Sequence, residues 1–406
     1  MIRFLKKYFY HLPKAILCNI IYGFPHRKLI LIGITGTDGK TTTCTLIQQI
    51  LQNSGLRVGI ISTISSPGLH TTSPGPRELM KLFSQYNNQG YTHVVCEVTS
   101  HSLDQFRYWG CYFAVSVITN ISHEHMDYHQ NIKNYLTAKS LLLKHSKVAI
   151  LNRDCQYFDT FSKIINKPFL SYGTKIRSDI RAKNIHVTSK NLSFTVDKKI
   201  FITDSNYHYQ LFNILAGLSV CRALHIDDQF VIDTIKIFPN TVGRRQEIEN
   251  TYNFKTIIDF AHTPNALLQT LLSLKLITKG KLICIFGATG GRDKSKRPMM
   301  GKAVSQNSDI AIVTADDTRN ENIVDINQQI ISGFDQTKID NKIFTYYNIP
   351  NRQDAFNLAV KLAKSNDVII ACGKGHETSI LHGKTEYPWS ESDAFKTAFR
   401  MKDQNV

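Results

Sequence analysis

At 406 residues and 42% hydrophobic composition, the chain exceeds the size at which one core keeps growing, so two or more globular domains are expected and a low-complexity or fibrous protein is excluded. Its 49 Lys and Arg against 32 Asp and Glu give a net charge of +17, but the lysines are scattered among Asn and Ile, which reads as a solvated surface rather than a nucleic-acid platform. The eight Cys form no C-x-x-C pair and several lie in apolar runs, so reduced, buried thiols in a cytoplasm are expected, and no apolar run reaches the ~18 residues of a membrane helix.

Residues 1–28 mix Arg3, Lys6, Lys7 and Lys14 with Phe4, Tyr8, Phe9, Ile16, Leu17, Ile20 and Ile21. The pattern imitates a signal peptide, but no small-residue cleavage pattern follows it. Two readings stay open: an amphipathic helix packed on the next domain, or a helix resting on a membrane surface.

Residues 29–35 read as a buried strand and 44–52 as a helix, which leaves Gly36-Thr-Asp-Gly-Lys-Thr-Thr42 as a glycine loop at a helix N-terminus. Such a loop cradles phosphate. Gly36 and Gly39 let backbone N–H groups approach an anion, Lys40 reaches terminal phosphates, and Thr41 or Thr42 offers a hydroxyl to Mg²⁺. The spacing is shorter than that of the common P-loop. Further apolar segments at 57–63, 93–98, 115–120 and 148–151 alternate with helical ones, as in a parallel sheet covered on both faces.

Glu97 ends the strand 93–98, and His123, His125, Asp127 and His129 lie just past the strand 115–120. Both groups are expected at the carboxyl edge of the sheet, where a carboxylate and an imidazole can hold Mg²⁺ against ATP. A zinc site in the His cluster is a second reading, and His129 by itself reads as a surface residue. Short alternating pieces at 184–188, 192–196 and 199–203 suggest a small antiparallel annex. A second series, with strands at 256–260, 282–286, 310–314 and 368–371, begins near Gln246 after a hinge at Val242-Gly243-Arg244. The expected fold class is α/β: a P-loop parallel-sheet ATPase domain over 29–242 with its annex, then a Rossmann-like α/β domain over 243–406.

Seven ordered blocks then carry a family resemblance: 36–42, Glu97-Val-Thr-Ser-His-Ser-Leu-Asp-Gln-Phe-Arg107, Thr119-Asn-Ile-Ser-His-Glu-His-Met-Asp-Tyr-His129, Tyr135-Leu-Thr-Ala-Lys139, Asp259-Phe-Ala-His-Thr-Pro264, Gly290-Gly-Arg-Asp-Lys-Ser-Lys-Arg-Pro298 and Gly373-Lys-Gly-His-Glu377. From about residue 29 onward the chain resembles the Mur ligases, and among them the MurE type, which adds the third residue of the peptidoglycan stem. The resemblance implies a cytoplasmic, monomeric ligase that uses ATP and Mg²⁺ to phosphorylate an acceptor carboxylate, which the amine of an amino acid then attacks. Only 28 residues precede the first strand in this sequence, so a ligase of that type lacking the family's N-terminal UDP-binding domain is expected.

By the same resemblance, Gly36, Thr37, Asp38, Gly39, Lys40, Thr41 and Thr42 hold the phosphates, Asn213 contacts adenine, and Asp259 and His262 face the nucleotide. Thr41, Glu97, His125 and Lys139, the last as a carbamate, form the metal centre, with Lys40 beside them in catalysis. Thr71, Thr72, Thr99, Gln105 and Arg107 hold the muramoyl-peptide acceptor. Arg292, Asp316, Asp317, Arg319, Gly373 and Glu377 form the amino-acid pocket, for diaminopimelate or lysine. Departures from the family pattern are Asp317 and Thr318 for Asn and Pro, Glu124 for Asp, Gln210 for Asn and Gln246 for Glu. The alternatives are a folylpolyglutamate synthetase-like ligase with another acceptor, and a P-loop ATPase or nucleic-acid-binding protein without ligase activity.

Overall fold

The computed structural model describes residues 5–63, 73–188, 190–205, 207–238 and 243–404; Thr71 and Thr72 lie outside them. The chain forms two compact units, Met1–Ser122 with Asn131–Phe238, and His123–Gln130 with Pro239–Val406. Among the described residues no helix is long and apolar enough to cross a membrane.

The first unit is built on seven parallel strands: β1 (Ile30–Thr35), β2 (Val58–Ile61), β3 (His93–Glu97), β4 (Phe113–Ile118), β5 (Ser146–Asn152), β6 (Phe169–Gly173) and β7 (Ile180–Arg181), in the order β2-β3-β1-β4-β5-β6-β7. Strand order reverses around β1, and open α/β sheets bind ligands in the crevice at such a switch. Central strands such as β1 and β3 are buried almost throughout because both sheet faces are covered. On one face Ile32, Ile34 and Val117 pack against Leu46, Ile47 and Ile50 of the helix Lys40–Asn53 and against Leu211, Ile214 and Leu218 of the helix His208–Ala223. On the other, Leu31, Val94 and Phe113 meet Leu79, Phe83 and Leu142.

Three antiparallel strands, β8 (Lys183–Val187), β9 (Leu192–Val196) and β10 (Lys199–Thr203), follow in the order β10-β9-β8. On β9, Leu192, Phe194 and Val196 are buried while Ser193 and Thr195 are not, the alternation of a half-buried strand. These side chains join the core of the unit, where Phe194 stacks on Phe201 at 5.2 Å.

The second unit carries β11 (Gln246–Ile248), β12 (Lys255–Asp259), β13 (Leu282–Phe286), β14 (Ile310–Val313), β15 (Thr345–Asn348) and β16 (Val368–Cys372) in the order β11-β12-β16-β13-β14-β15. Only β11 runs antiparallel, so this sheet is mixed. A hairpin of β17 (Ser379–His382) and β18 (Thr385–Pro388) follows. All eight cysteines are free and buried. The strand β6 and the edge strands β7 and β15 carry no strand signal in the sequence: β15 is mostly exposed, so no apolar alternation marks it.

Ahead of β1, His26 is buried and its Nε2 donates to Asn19 Oδ1 at 2.9 Å. Burial, with the neighbouring Arg27 charge, pushes its pKa down to about 4. The unfolded imidazole, at about 6.5, takes up a proton that the folded one refuses. Stability from this site is therefore complete above about pH 6.5 and is lost as the pH falls toward 4. A His26→Gln variant is expected to show a shallower loss of melting temperature between pH 6.5 and 4; identical slopes would remove His26 as the cause.

Candidate functional site

In the first unit, the neighbouring strands β3, β1 and β4 end together and deliver Glu97, the loop 36–42 and Thr119-Asn120 to one edge. The loop is held from behind. Thr37 N–H donates to the Asn120 carbonyl (2.8 Å), Asp38 N–H to Asn120 Oδ1 (2.9 Å), and Thr119 Oγ1 to the Asp38 carbonyl (2.7 Å). Thr37 Oγ1 also accepts from Ser122 N–H (3.0 Å) and meets the Tyr135 hydroxyl at 3.0 Å. Bonds formed behind the loop leave its phosphate-facing side to be decided by the ligand.

Two glycines are required by this geometry. Gly36 has φ 154°, and a Cβ there would lie 1.9 Å from Thr119 Oγ1; Gly39, with φ 80° at the start of the helix Lys40–Asn53, would place a Cβ 2.7 Å from Asn213 Oδ1. Asn213 is buried and its amide is engaged inside the protein, accepting from Thr43 Oγ1 (3.2 Å) and donating to Gln210 Oε1 (3.0 Å). It therefore sets the shape of the loop's base. Lys40 Nζ folds back to the Thr37 carbonyl at 2.7 Å.

Glu97 is buried with one oxygen, Oε2, accepting from Thr41 Oγ1 (3.0 Å) and from Thr63 N–H and Oγ1 (3.2 Å each). Its other oxygen has no hydrogen bond to the described residues, and the paired hydroxyl and carboxylate are hard oxygen donors of the kind Mg²⁺ takes. Thr63 was not singled out in the sequence; it follows β2, and only the sheet order brings it beside β3. Lys139, on the helix Ile132–Lys144, is buried, with Nζ 2.7 Å from the Gly36 carbonyl, 3.3 Å from Thr35 Oγ1 and over the Tyr135 ring at 4.7 Å. An exposed helix lysine is thereby ruled out.

Thr99, Gln105 and Arg107 are brought together around Ser73. Thr99 Oγ1 caps the short helix Ser100–Asp104 by accepting from Ser102 N–H (3.2 Å), and Thr99 N–H donates to Ser73 Oγ (3.1 Å). Arg107 donates from Nη2 to Gln105 Oε1 at 2.8 Å and from Nη1 to the Ser73 carbonyl.

In the second unit the segment His123–Gln130 packs with the loops after β12 and β13. His123 Nε2 contacts Ser295 Oγ (2.9 Å) and Asp293 Oδ2 (3.4 Å), and Met126 N–H donates to Asp293 Oδ2 (3.3 Å). Glu124 sits between His262 Nε2 (3.2 Å), His125 Nε2 (3.7 Å) and Lys296 Nζ (3.9 Å). Burial opposes its ionisation, but His125, His262 and Lys296 outweigh that and hold it well below the carboxylate range. His129, expected at the surface, is buried. Among the described residues no group of three or more His, Cys, Asp or Glu side chains is arranged to hold a metal, so the zinc reading of the His cluster gains no support from the geometry. His125 adopts φ 59° and precedes the turn Met126–His129.

Asp259 ends β12, and both its oxygens are taken by backbone donors, Arg245 N–H (2.9 Å) and Ala261 N–H (2.8 Å). It braces the loop. His262, fixed by a 2.9 Å bond from Nδ1 to the Phe260 carbonyl, is the more exposed member of the block.

The stretch Asp316–Arg319 follows β14, and Gly373–Glu377 follows β16. Asp316 is buried; burial raises its pKa, but Lys374, Arg352 and the Asp317 N–H prevail and lower it. Asp317 Oδ1 accepts from Lys374 Nζ (2.8 Å) and from Leu381 N–H (3.0 Å), and Thr318 Oγ1 meets His382 Nδ1 at 2.9 Å. The two residues that replace Asn and Pro thus each find a partner, Asp317 in Lys374 and both in the β17–β18 hairpin. Further bonds, Arg319 N–H to the Leu381 carbonyl (3.2 Å) and Gly383 N–H to the Arg319 carbonyl (2.7 Å), fix Arg319 at φ 49°, and its Nε has no partner among the described residues.

Lys374 also lies 2.5 Å from Glu377 Oε2. Burial raises the Glu377 pKa, and the Lys374 charge opposes it. Partial burial and then the nearby Arg319 guanidinium lower the Arg292 pKa. Lys374 and His382 had no assigned role in the sequence; Lys374 lies within a quoted block, but its two carboxylate partners come from different strand ends.

Two family profiles match the chain: "Mur ligase middle domain" over residues 34–221 and "Mur ligase, glutamate ligase domain" over residues 243–375. A Clostridium acetobutylicum protein named UDP-N-acetylmuramoyl-L-alanyl-D-glutamate--2,6-diaminopimelate ligase 1 is 36% identical over 91% of this chain and 78% of its own length. A solved structure of a ligase of the same name is similar with a TM-score of 0.63 at 25% identity, covering 96% of this chain and 83% of that one. The Mycobacterium tuberculosis folylpolyglutamate synthase solved with ADP and AMPPCP has a TM-score of 0.68 at 15% identity, covering 89% of this chain and 92% of that one, a likeness of fold alone.

Proposed function

Since the chain belongs to the Mur ligase family, we propose that it is an ATP-dependent cytoplasmic ligase, monomeric, that joins an amino acid to the carboxylate of a muramoyl-dipeptide-type acceptor through an acyl phosphate, in peptidoglycan synthesis. The amino acid is meso-diaminopimelate or lysine, and relatives named as 2,6-diaminopimelate ligases at 32–36% identity favour the former. The observation that carries the reading is the bond from Thr41 Oγ1 to the buried Glu97 carboxylate (3.0 Å) at the base of the glycine loop 36–42.

The loop N–H groups and Lys40 bind the β- and γ-phosphates, and Thr41 and Glu97 hold Mg²⁺, with His125 and a carbamylated Lys139 as the remaining metal-site groups. When bound, the ion neutralises charge on the transferring phosphoryl group. Thr99, Gln105 and Arg107 orient the acceptor. Asp259 keeps the loop that carries His262 in shape toward the nucleotide, and Asn213 supports the adenine side. Arg292 and Arg319 face a carboxylate of the incoming amino acid, while Asp316 and Glu377 face its ammonium, with Lys374 balancing their charge.

The test of the whole reading is phosphate release from ATP with a panel of acceptors and amino acids. Turnover that requires both a muramoyl dipeptide and a diamino acid is the expected result; turnover with neither, or with a folate acceptor, would overturn it. Within the pocket, Arg319→Ala should raise the KM for the amino acid roughly tenfold or more and leave that for ATP within about twofold, since a lost charge-assisted contact acts on the substrate that makes it. Equal effects on both constants would move Arg319 out of the pocket. Lys139→Ala should be inactive and regain part of its turnover with added formate or acetate, because a small free carboxylate can occupy the vacated space near the metal. Unimpaired Lys139→Ala would leave the lysine a purely structural role.

A further inference from the structure

The N-terminal helical segment packs within the first unit through Ala15, Cys18 and Asn19, keeps Leu12 and Ile16 half-buried, and turns Leu5, Phe9, Leu17, Ile20 and Ile21 outward. Ala15, Cys18 and Asn19 are the buried residues of the helix Leu12–Ile21. Cys18 joins the core of Leu79, Met80 and Phe83, and Asn19 donates to the Ala15 carbonyl (2.9 Å) and to that of Trp109 (3.2 Å). Nearer the N-terminus, Lys7 Nζ pairs with Asp104 Oδ1 at 2.9 Å, and the Tyr8 ring meets Phe106 at 5.7 Å. These contacts fix the rotation of the segment, so its outer face cannot roll inward.

That outer face is apolar. Leu5, Phe9, Leu17 and Ile21 recur at multiples of four and are all exposed, Phe9 at 75% and Ile21 at 68%, with Ile20 beside them. The row next to it reads Lys6, Tyr10 and Lys14, all exposed, with Lys14 Nζ 5.8 Å from the Tyr10 ring. A soluble surface rarely keeps such a contiguous row without a partner. An apolar row bordered by Lys and Tyr, whose stems lie in apolar surroundings while their tips stay wet, is the pattern of a helix lying in a membrane interface.

Charge selects the occupant. The sequence has no Asp or Glu before Asp38, while Arg3, Lys6, Lys7, Lys14, Arg27 and Lys28 precede it. A second copy seated on the same face would bring two such cationic segments together, which like-charge repulsion disfavours. An anionic lipid surface complements both the apolar row and the cations.

We propose that the outward face of residues 5–21 docks the protein peripherally on an anionic lipid bilayer. Phe9, Leu17, Ile20 and Ile21 enter the interface, Lys6 and Lys14 meet lipid phosphates, and the contacts of Lys7 and Asn19 hold the first unit against the surface. The docking does not depend on the ligase reading, since it is measured without ATP or substrates.

The experiment is co-sedimentation of the full chain with phosphatidylglycerol–phosphatidylcholine vesicles and with pure phosphatidylcholine vesicles, at about 0.1 M and 1 M salt. Binding to the anionic vesicles at least tenfold stronger than to the neutral ones, and weakened several-fold by high salt, is expected. Phe9→Glu combined with Ile20→Glu should reduce binding at least tenfold with an unchanged circular dichroism spectrum and melting temperature, because both side chains are exposed and outside the core. Lys6→Gln with Lys14→Gln should flatten the salt dependence. Absence of binding to anionic vesicles at low salt, or binding that the Glu substitutions leave intact, would overturn the proposal. So would a concentration-dependent dimer in analytical ultracentrifugation that those substitutions dissolve, since the face would then belong to a second copy.

Discussion

Lys40→Ala is expected to lower ATP-dependent turnover by about 10³-fold or more while the melting temperature stays within a few degrees of the parent protein. The side chain is only partly buried, and its bond to the Thr37 carbonyl at 2.7 Å lies within its own loop. Its removal therefore costs little packing. What it removes is a fixed cation where charge moves during phosphoryl transfer, and losing one such preorganised group costs about 10²–10³ even for a neutral donor. Glu97→Gln should fall as far, because an amide keeps the acceptor for Thr41 and Thr63 but withdraws the charge that a divalent ion requires. Steady-state phosphate release beside a thermal melt separates the two quantities. Near-normal turnover of Lys40→Ala in a folded protein would end the ligase reading at its centre.

Arg352→Ala should be the most destabilising single change in the second unit. The guanidinium is buried and donates to Glu391 Oε1 (2.8 Å), the Ala315 carbonyl (2.8 Å) and the Cys372 carbonyl (3.0 Å). Ala315 and Cys372 stand at the carboxyl ends of β14 and β16, immediately before Asp316 and Gly373, so one side chain ties together the two loops of the proposed amino-acid pocket. Removing one partner of a buried pair strands the other charge, here Glu391, at a cost of about 3–5 kcal/mol, or roughly 10 °C in melting temperature for a unit of this size. The double variant Arg352→Met with Glu391→Leu should recover much of that loss, because apolar groups of similar volume carry no desolvation penalty. A single variant within about 1 kcal/mol of the parent would show that the pair contributes no more than a surface bridge.

Much of both units was legible because its signals are local. The strand β9 and the strand β10 fall where the alternation at 192–196 and 199–203 placed them, and β13 where the apolar run at 282–286 did. A half-buried strand must alternate and a doubly covered one must be apolar, so burial writes itself into the order of residues. The glycine loop was equally legible, since Gly36 and Gly39 stand where no Cβ fits. The family resemblance, rather than any local signal, put the Asp316–Arg319 and Gly373–Glu377 stretches in one pocket, and Lys374 does bond Asp317 across them.

Other features depended on neighbours far away in the chain. Nothing near Thr63 announces a bond to Glu97, because the order β2-β3-β1 that joins them is a property of the whole sheet. His129 looked solvated beside charged residues, yet it is buried, since burial depends on what packs over a residue rather than on what precedes it. Asp259 and Asn213 matched ligand positions by motif, and the structure shows their polar atoms engaged by Arg245, Ala261, Thr43 and Gln210. The direction in which the N-terminal helix turns its apolar residues was open to both readings of the sequence, and was decided by Cys18 and Asn19 finding partners at Phe83 and Trp109. Periodicity and glycine sterics act over a few residues and so are written in the sequence; carboxylate partners, buried charges and the outward face of a helix are set by contacts between segments that only the folded chain brings together.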